Sequence, residues 1–235
     1  EIYTLSLHDA LPISTSLRVD LSTMFGILLQ SYVTSLQIFA VTLVGSLPLG
    51  IIVALGRLSR FKPLSLLCQL VISILRGTPL MLQMFAVFFV PYYVFGIQSG
   101  PSYIFVAVLI AFVINYSAYF AEIYRSGIQS MPLGQYEAAE VLGYSKRQAF
   151  FRIILPQVIK RVLPAIGNEV VTLVKDTSLA FSIGITEMFT QSRALVTSQR
   201  NMLPFAIAAL IYWVTCLLIE LLMRLVEKRM AYYHD

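Results

Sequence analysis

The chain is 235 residues long, 58% hydrophobic and only 12% charged, with a mean hydropathy of +0.79, which is far more apolar than a soluble domain of this size. It therefore reads as a multi-span membrane protein, and its formal net charge of +5 reflects basic residues clustered between apolar runs, where they set orientation, rather than nucleic-acid binding. His8 and His234 stand one near each end, Cys68 and Cys216 lie in apolar stretches as buried free thiols, and no Gly-x4-Gly-Lys-Ser/Thr occurs; a histidine-based catalytic engine, a metal site, a resident cofactor and an ATPase site all lack their residues.

Residues 1–14, EIYTLSLHDALPIS, read as an in-frame translation of a widely used short-read sequencing adapter, ending within the Ser14 codon. They have no basic start followed by a continuous apolar core, as a secretory signal requires, and are set aside as an assembly scar. Residues 15–29 follow as an N-terminal non-cytoplasmic segment. From about Gln30 to Gly56 the run is long enough to cross a hydrocarbon core of roughly 30 Å, which takes about 20 residues. Gly45, Ser46, Gly50 and Gly56 give this first span a small-residue face on which another helix can pack closely. Arg57, Arg60 and Lys62, then Pro63, form a short basic loop.

The apolar stretch from Leu64 to Phe95 is too long for one upright span. Its first part is expected at the cytoplasmic interface or as a tilted helix, with the second crossing from about Val71 to Val94 and a kink at Pro79. Arg76 would then sit a turn or so inside the boundary, where it must snorkel or pair. Pro91 to Tyr103 carries no charge and reads as a non-cytoplasmic loop. In the third span, about Ile104 to Ile123, Asn115, Tyr119 and Glu122 fall at i, i+4 and i+7, a polar stripe that must point away from lipid.

A polar island follows. Pro132 suits the first turn of a helix, where its missing N–H has no intrahelical role, and Gly143 suits the position after the last turn, where positive φ is wanted. Ser145-Lys-Arg-Gln148 has the form of a capping box, so a second short helix is expected from Ser145 to about Leu155. Ala138 and Ala139 leave the first helix a thin face, while Glu137, Glu140, Lys146, Arg147 and Arg152 keep the segment out of the bilayer. The segment has the character of a docking surface.

Span four, roughly Leu163 to Ile185, carries Glu169, Thr172 and Asp176 on one face with Lys175 beside Asp176. Such groups are costly in lipid unless they pair or line a path. Asp176 and Lys175, with Glu169 and Asn115, offer opposite charges to an α-ammonium and an α-carboxylate; the competing reading is an internal network of Arg76, Glu122, Glu169 and Lys175 that holds the spans together. Thr186 to Leu203 reads as a polar connection, and Pro204 to about Val226 as the fifth span, with Glu220 and Arg224 in the favoured i, i+4 order and residues 230–235 as a cytoplasmic tail. Basic residues concentrate after spans one, three and five, whereas the outer segments hold Arg18, Arg193 and Arg200. That asymmetry puts the N-terminus outside and the C-terminus inside, with five crossings.

Three strings carry a resemblance. Glu137-Ala138-Ala139, three residues, Gly143, nine residues, then Ile153-x-Leu155-Pro156 is similar to the cytoplasmic Glu-Ala-Ala loop of ABC importer permeases. Arg76-Gly-Thr-Pro79-Leu, and Asn168-Glu169 with Lys175-Asp-Thr-Ser-Leu179, are similar to strings at these places in polar amino-acid permeases. From Ser31 to Arg229 the chain resembles the permease subunits of bacterial ABC importers for polar amino acids. The resemblance implies an all-α, five-span permease in the cytoplasmic membrane, with coupling helices seated on an ABC ATPase dimer. It also implies a second permease copy or paralogue, an external solute-binding protein and alternating access. An ion-coupled secondary transporter would use the same intramembrane Asp, Glu and Lys residues but would need no Glu-Ala-Ala loop.

Overall fold

The computed structural model describes residues 19–97, 100 and 102–230; the expectations for residues 1–14, His8, Arg18, His234, part of the 91–103 loop and the tail beyond Met230 fall outside these. Among the described residues the fold is helical throughout: α1 (Leu21–Arg57), α2 (Lys62–Gly77), α3 (Leu80–Phe95), α4 (Ser102–Gln129), α5 (Leu133–Val141), α6 (Lys146–Ala149), α7 (Leu155–Asp176), α8 (Met188–Gln199) and α9 (Leu203–Arg229). Helices α1, α4 and α9 are each long and apolar enough to cross a membrane, and α2 with α3 would add a fourth if the bent pair acted as one span. Helix α7 is amphipathic instead, because Lys160, Arg161, Glu169, Lys175 and Asp176 interrupt its apolar residues.

The first helix starts nine residues earlier than the hydropathy run suggested. At 37 residues and about 1.5 Å per residue it is near 55 Å long, more than an upright crossing uses. Its early turns have their own purpose: Met24, Leu28 and Tyr32 pack with Met188 and Leu195 of α8 and with Ile207, Ala208 and Ile211 of α9. The small-residue face behaves as expected. A Cβ on Gly50 would stand 2.9 Å from Phe120 Cβ and 3.2 Å from the Ser117 carbonyl, and one on Gly45 would meet Val113 at 3.1 Å. Glycine there lets α1 and α4 approach backbone to backbone. Around this seam Ile38, Met84, Val108, Phe112, Tyr116, Phe120 and Leu173 form the largest apolar cluster.

Three boundaries differ from the sequence reading. Between Gly77 and Leu80 the chain does not kink but breaks, with α2 and α3 set at 110°, so the continuous crossing expected from Val71 to Val94 is not formed. The second short helix does not stop near Leu155. It passes from α6 through a π-helical turn, Phe150–Ile154, into α7. Pro156 is the physical reason: it cannot donate to the Arg152 carbonyl and its ring crowds that carbonyl, and a widened turn absorbs the mismatch. Helix α7 then tightens into a 3₁₀ segment, Thr177–Ile183, that ends at Gly184 with φ +89°. The connection from Thr186 to Leu203, read only as polar, contains a full helix, α8.

Candidate functional site

Two regions hold the residues that the sequence singled out. The first is the elbow between α4 and α7. Helix α5 ends in a Schellman turn: Tyr144 N donates to Ala139 O at 3.0 Å, Gly143 N donates to Glu140 O at 2.9 Å, and Gly143 holds φ +77°, a conformation that costs little only without a Cβ. The capping box forms on both sides, Gln148 N donating to Ser145 Oγ at 3.3 Å and Ser145 N to Gln148 Oε1 at 3.0 Å. Beneath the elbow Met131, Ile154, Val158 and Val162 pack together, with Ile153 half-buried against them. Arg161 Nη1 donates to Ser130 O at 2.7 Å, tying α7 to the end of α4.

The thin alanine face is only half available. Ala139 is buried at 1% exposure, under the Schellman turn, whereas Ala138 is exposed beside Glu137 and Glu140. Leu155 and Pro156 are half-buried in the ascending helix and shape the elbow from behind. The outward surface comes from residues the motif does not name: Val141 is 87% exposed and Leu142 72%, with Leu133 and Phe151 also uncovered and Arg147 lying over the Phe151 ring. The signal in the sequence is the pair of apolar residues, Val141 and Leu142, between Ala-Ala-Glu and Gly.

The second region is the polar face where α4, α7 and the end of α2 meet. Asp176 accepts a hydrogen bond from Tyr116 Oη at 2.7 Å; Tyr116 is buried and its ring lies 6.1 Å from Tyr119. The Arg76 guanidinium sits 5.2 Å over the Tyr119 ring, a cation–π geometry, and Glu169 is within electrostatic reach of both Arg76 and Asp176. Arg76, Tyr119, Glu169 and Asp176 are thus brought together, linked by Tyr116, which the sequence reading passed over.

The other candidates go elsewhere. Glu122 pairs with Arg125 of its own helix, and the Thr172 hydroxyl donates to Asn168 O at 2.9 Å. Asn115, 4% exposed, works at the α2–α3 break. The Leu75 carbonyl would ordinarily receive the N–H of residue 79, but Pro79 has none. Gln83 Nε2 and Asn115 Nδ2 donate to it instead, at 2.8 and 3.1 Å. Asn115 Nδ2 also reaches Gln83 Oε1 at 3.0 Å, and Thr78 Oγ1 donates to Ile74 O at 2.8 Å. Lys175 lies within electrostatic reach of Asp176 but forms no ion pair with it. It borders a groove of about 530 Å³ lined by Ser178, Phe189, Phe205, Ala208, Ala209 and Tyr212; of the four residues in the alternative network, Arg76 lies within electrostatic reach of both Glu122 and Glu169. Glu220 and Arg224 line a groove against Pro164, Gly167 and Asn168 rather than closing on each other.

One carboxylate escaped notice altogether. Glu187 is fully buried at 0% exposure and caps α8, accepting from Phe189 N at 2.8 Å and Thr190 N at 2.7 Å. Ser35 of α1 and Tyr212 of α9 donate to the same carboxylate from 3.4 Å. The sequence signal was a Glu three residues past Gly184, placed where a helix could start.

A family model for the binding-protein-dependent transport system inner membrane component matches residues 46–232. The L-cystine transport system permease protein TcyB of Bacillus subtilis is 33% identical over 230 residues, covering 95% of this chain and 96% of its own. TcyL, an L-cystine transport system permease protein of the same organism, is 38% identical over 199 residues, 83% of each chain. In structure the chain is similar to a crystal structure of an amino acid ABC transporter with histidines, at a TM-score of 0.80 and 32% identity over 90% of this chain and 99% of that one.

Proposed function

The chain belongs to the family of binding-protein-dependent transport system inner membrane components, as an amino-acid ABC permease subunit, and from that premise we propose that it carries a polar amino acid across the bacterial cytoplasmic membrane by alternating access. Its N-terminus lies outside and its C-terminus in the cytoplasm. The five crossings are α1, α3, α4, α7 and α9; α3 is short but wholly uncharged, and α7 crosses with its charged side turned from lipid. Two such subunits, identical or paralogous, sit on a pair of ABC ATPase subunits and receive substrate from an external solute-binding protein.

The observation that carries the reading is the uncovered apolar crest of the elbow, Val141 and Leu142, ringed by Glu137, Glu140, Lys146 and Arg147. Burying two such side chains under a partner is worth about 1.5–3 kcal/mol each, and the charged ring gives the contact a register. Because Phe150 leads without interruption into α7, a push on the elbow is passed as rigid helix to Glu169 and Asp176. For the substrate, Asp176 and Glu169 face an α-ammonium and Arg76 an α-carboxylate. Lys175 has no direct part in that contact. ATP and loaded receptor shift the two access states only by binding them unequally.

The test is reconstitution. With its ATPase and receptor in proteoliposomes, the permease should take up radiolabelled substrate only when ATP is supplied on the cytoplasmic side. Asp176→Asn should abolish substrate-stimulated ATPase activity while the assembled complex is recovered intact. Uptake driven by a proton or sodium gradient without the ATPase would overturn the proposal.

A further inference from the structure

Helix α2 is uncovered along one side. Its Leu66, Leu67, Leu70, Val71 and Ile74 are all exposed, while on the opposite side Ile72 is buried and Cys68 lies against Gly56 of α1. Lys62, Ser65, Gln69, Ser73 and Arg76 follow one another at spacings of three and four residues, so they form a single polar stripe between the two apolar sides. A helix with three such faces suits a boundary, with water above, apolar medium below and protein beside it.

Its setting specifies which boundary. Arg57 Nη1 donates to Ser65 Oγ at 3.0 Å, and Ser65 Oγ donates to Arg57 O at 2.7 Å, so the end of α1 is clamped to the start of α2. At the other end the Gln83–Asn115–Leu75 amide cluster holds the 110° break. Both corners are therefore fastened, and α2 runs across the direction of α3. The flanking turns of α1 and α3 also carry exposed apolar side chains, Ile51, Ile52, Leu55 and Leu82. Arg60 and Lys62 are exposed at its head, and no acidic residue occurs from Leu21 to Ala121.

We infer that α2 is a lipid-binding strap: its Leu66–Ile74 face seats among the acyl chains of the leaflet beside the elbow, and Arg60 and Lys62 hold anionic phospholipid headgroups. The inference rests on the membrane-permease reading for the presence of a bilayer and on nothing in the ATP-coupling scheme. An apolar side of five residues, with further exposed apolar side chains on the helices at both of its ends, suits a bilayer. Glu122 of α4 lies within electrostatic reach of Arg57 and Arg76 and pairs with Arg125, and the exposed Arg60 and Lys62 of the head complement phosphate diesters.

The experiment uses the full complex of permease and ATPase in nanodiscs, with Trp213 replaced by Phe and a single tryptophan at Leu67→Trp, Leu70→Trp or Ser73→Trp. Brominated acyl chains should quench tryptophan at 67 and 70 strongly and at 73 weakly. Brominated phosphatidylglycerol should reach half-quenching at a lower mole fraction than brominated phosphatidylcholine, and R60Q/K62Q should erase that preference, at roughly fivefold for each charge removed. Unquenched tryptophan at both 67 and 70, or quenching that the ATPase abolishes on binding, would give the face to a protein partner and overturn the inference. Quenching indifferent to headgroup and to R60Q/K62Q would overturn its headgroup half. No nucleotide or substrate enters the readout. Failure of ATP-driven uptake would thus sink the proposed function and leave the strap intact, while failure of quenching would do the reverse.

Discussion

At the Gly143 elbow the bonds that shape the chain close within a few residues, Ala139 to Tyr144 and Ser145 to Gln148, whereas the seam between α1 and α4 joins Gly50 to Phe120 and Gly45 to Val113. The elbow is held locally and turned outward. The seam is held at long range and turned inward. The two regions therefore answer to different failures: damage at the seam is damage to the fold, while damage at the crest of the elbow leaves the fold standing and removes only what docks on it.

That contrast can be broken by substitution. Gly50→Leu should be the most severe change, because its Cβ alone would meet the α4 backbone and Phe120; overpacking of this kind costs about 3 kcal/mol, and purified protein should show a markedly lower midpoint of thermal unfolding in detergent. An unchanged midpoint would mean that the α1–α4 seam is loose. Glu187→Ala comes next, since it strands the Phe189 and Thr190 N–H groups and loosens Ser35 and Tyr212; a lost cap costs about 0.5–2 kcal/mol, and hydrogen exchange should rise first at the start of α8. At the elbow, Gly143→Val adds about 1–2 kcal/mol of left-handed strain, which the short α5 can relieve by local unwinding. Protein should still insert and purify while uptake is lost, and normal uptake would count against the elbow's role. Smallest in stability is Leu142→Ser, an exposed position within about 0.5 kcal/mol of neutral. Its effect should appear in the amount of ATPase recovered on co-purification, and undiminished recovery would remove Leu142 from the docking surface.

The same division explains what could be read in advance. Gly143 and the Ser145–Gln148 box are local devices, so the elbow was legible almost residue by residue; Pro132 caps the helix instead of sitting in its first turn, and the π turn before Pro156 and the burial of Ala139 were hidden, since both depend on how α7 rises behind the elbow. The small-residue face of α1 was legible because glycine spacing is itself a packing signal, although its partner, α4, was not. The polar residues inside the spans were found by type, while their partners stayed open between a path and a network. Asn115 meets the Leu75 carbonyl, Glu122 meets Arg125 and Asp176 meets Tyr116, whereas periodicity gives the direction of a side chain on its own helix and says nothing of which neighbouring helix it meets.

From composition and pattern alone came a membrane protein, the apolar runs in order and the elbow with its glycine. Those are properties of single helices and turns, settled by transfer free energy and backbone sterics over a few residues. Only the folded chain decided that α2 breaks from α3 at 110°, that α8 exists and is capped by Glu187, and that Arg76, Tyr116, Tyr119, Glu169 and Asp176 share one face. Each of those requires a donor and an acceptor, or a ring and a cation, supplied by segments distant in sequence, and their meeting is determined by helix packing that no local window contains.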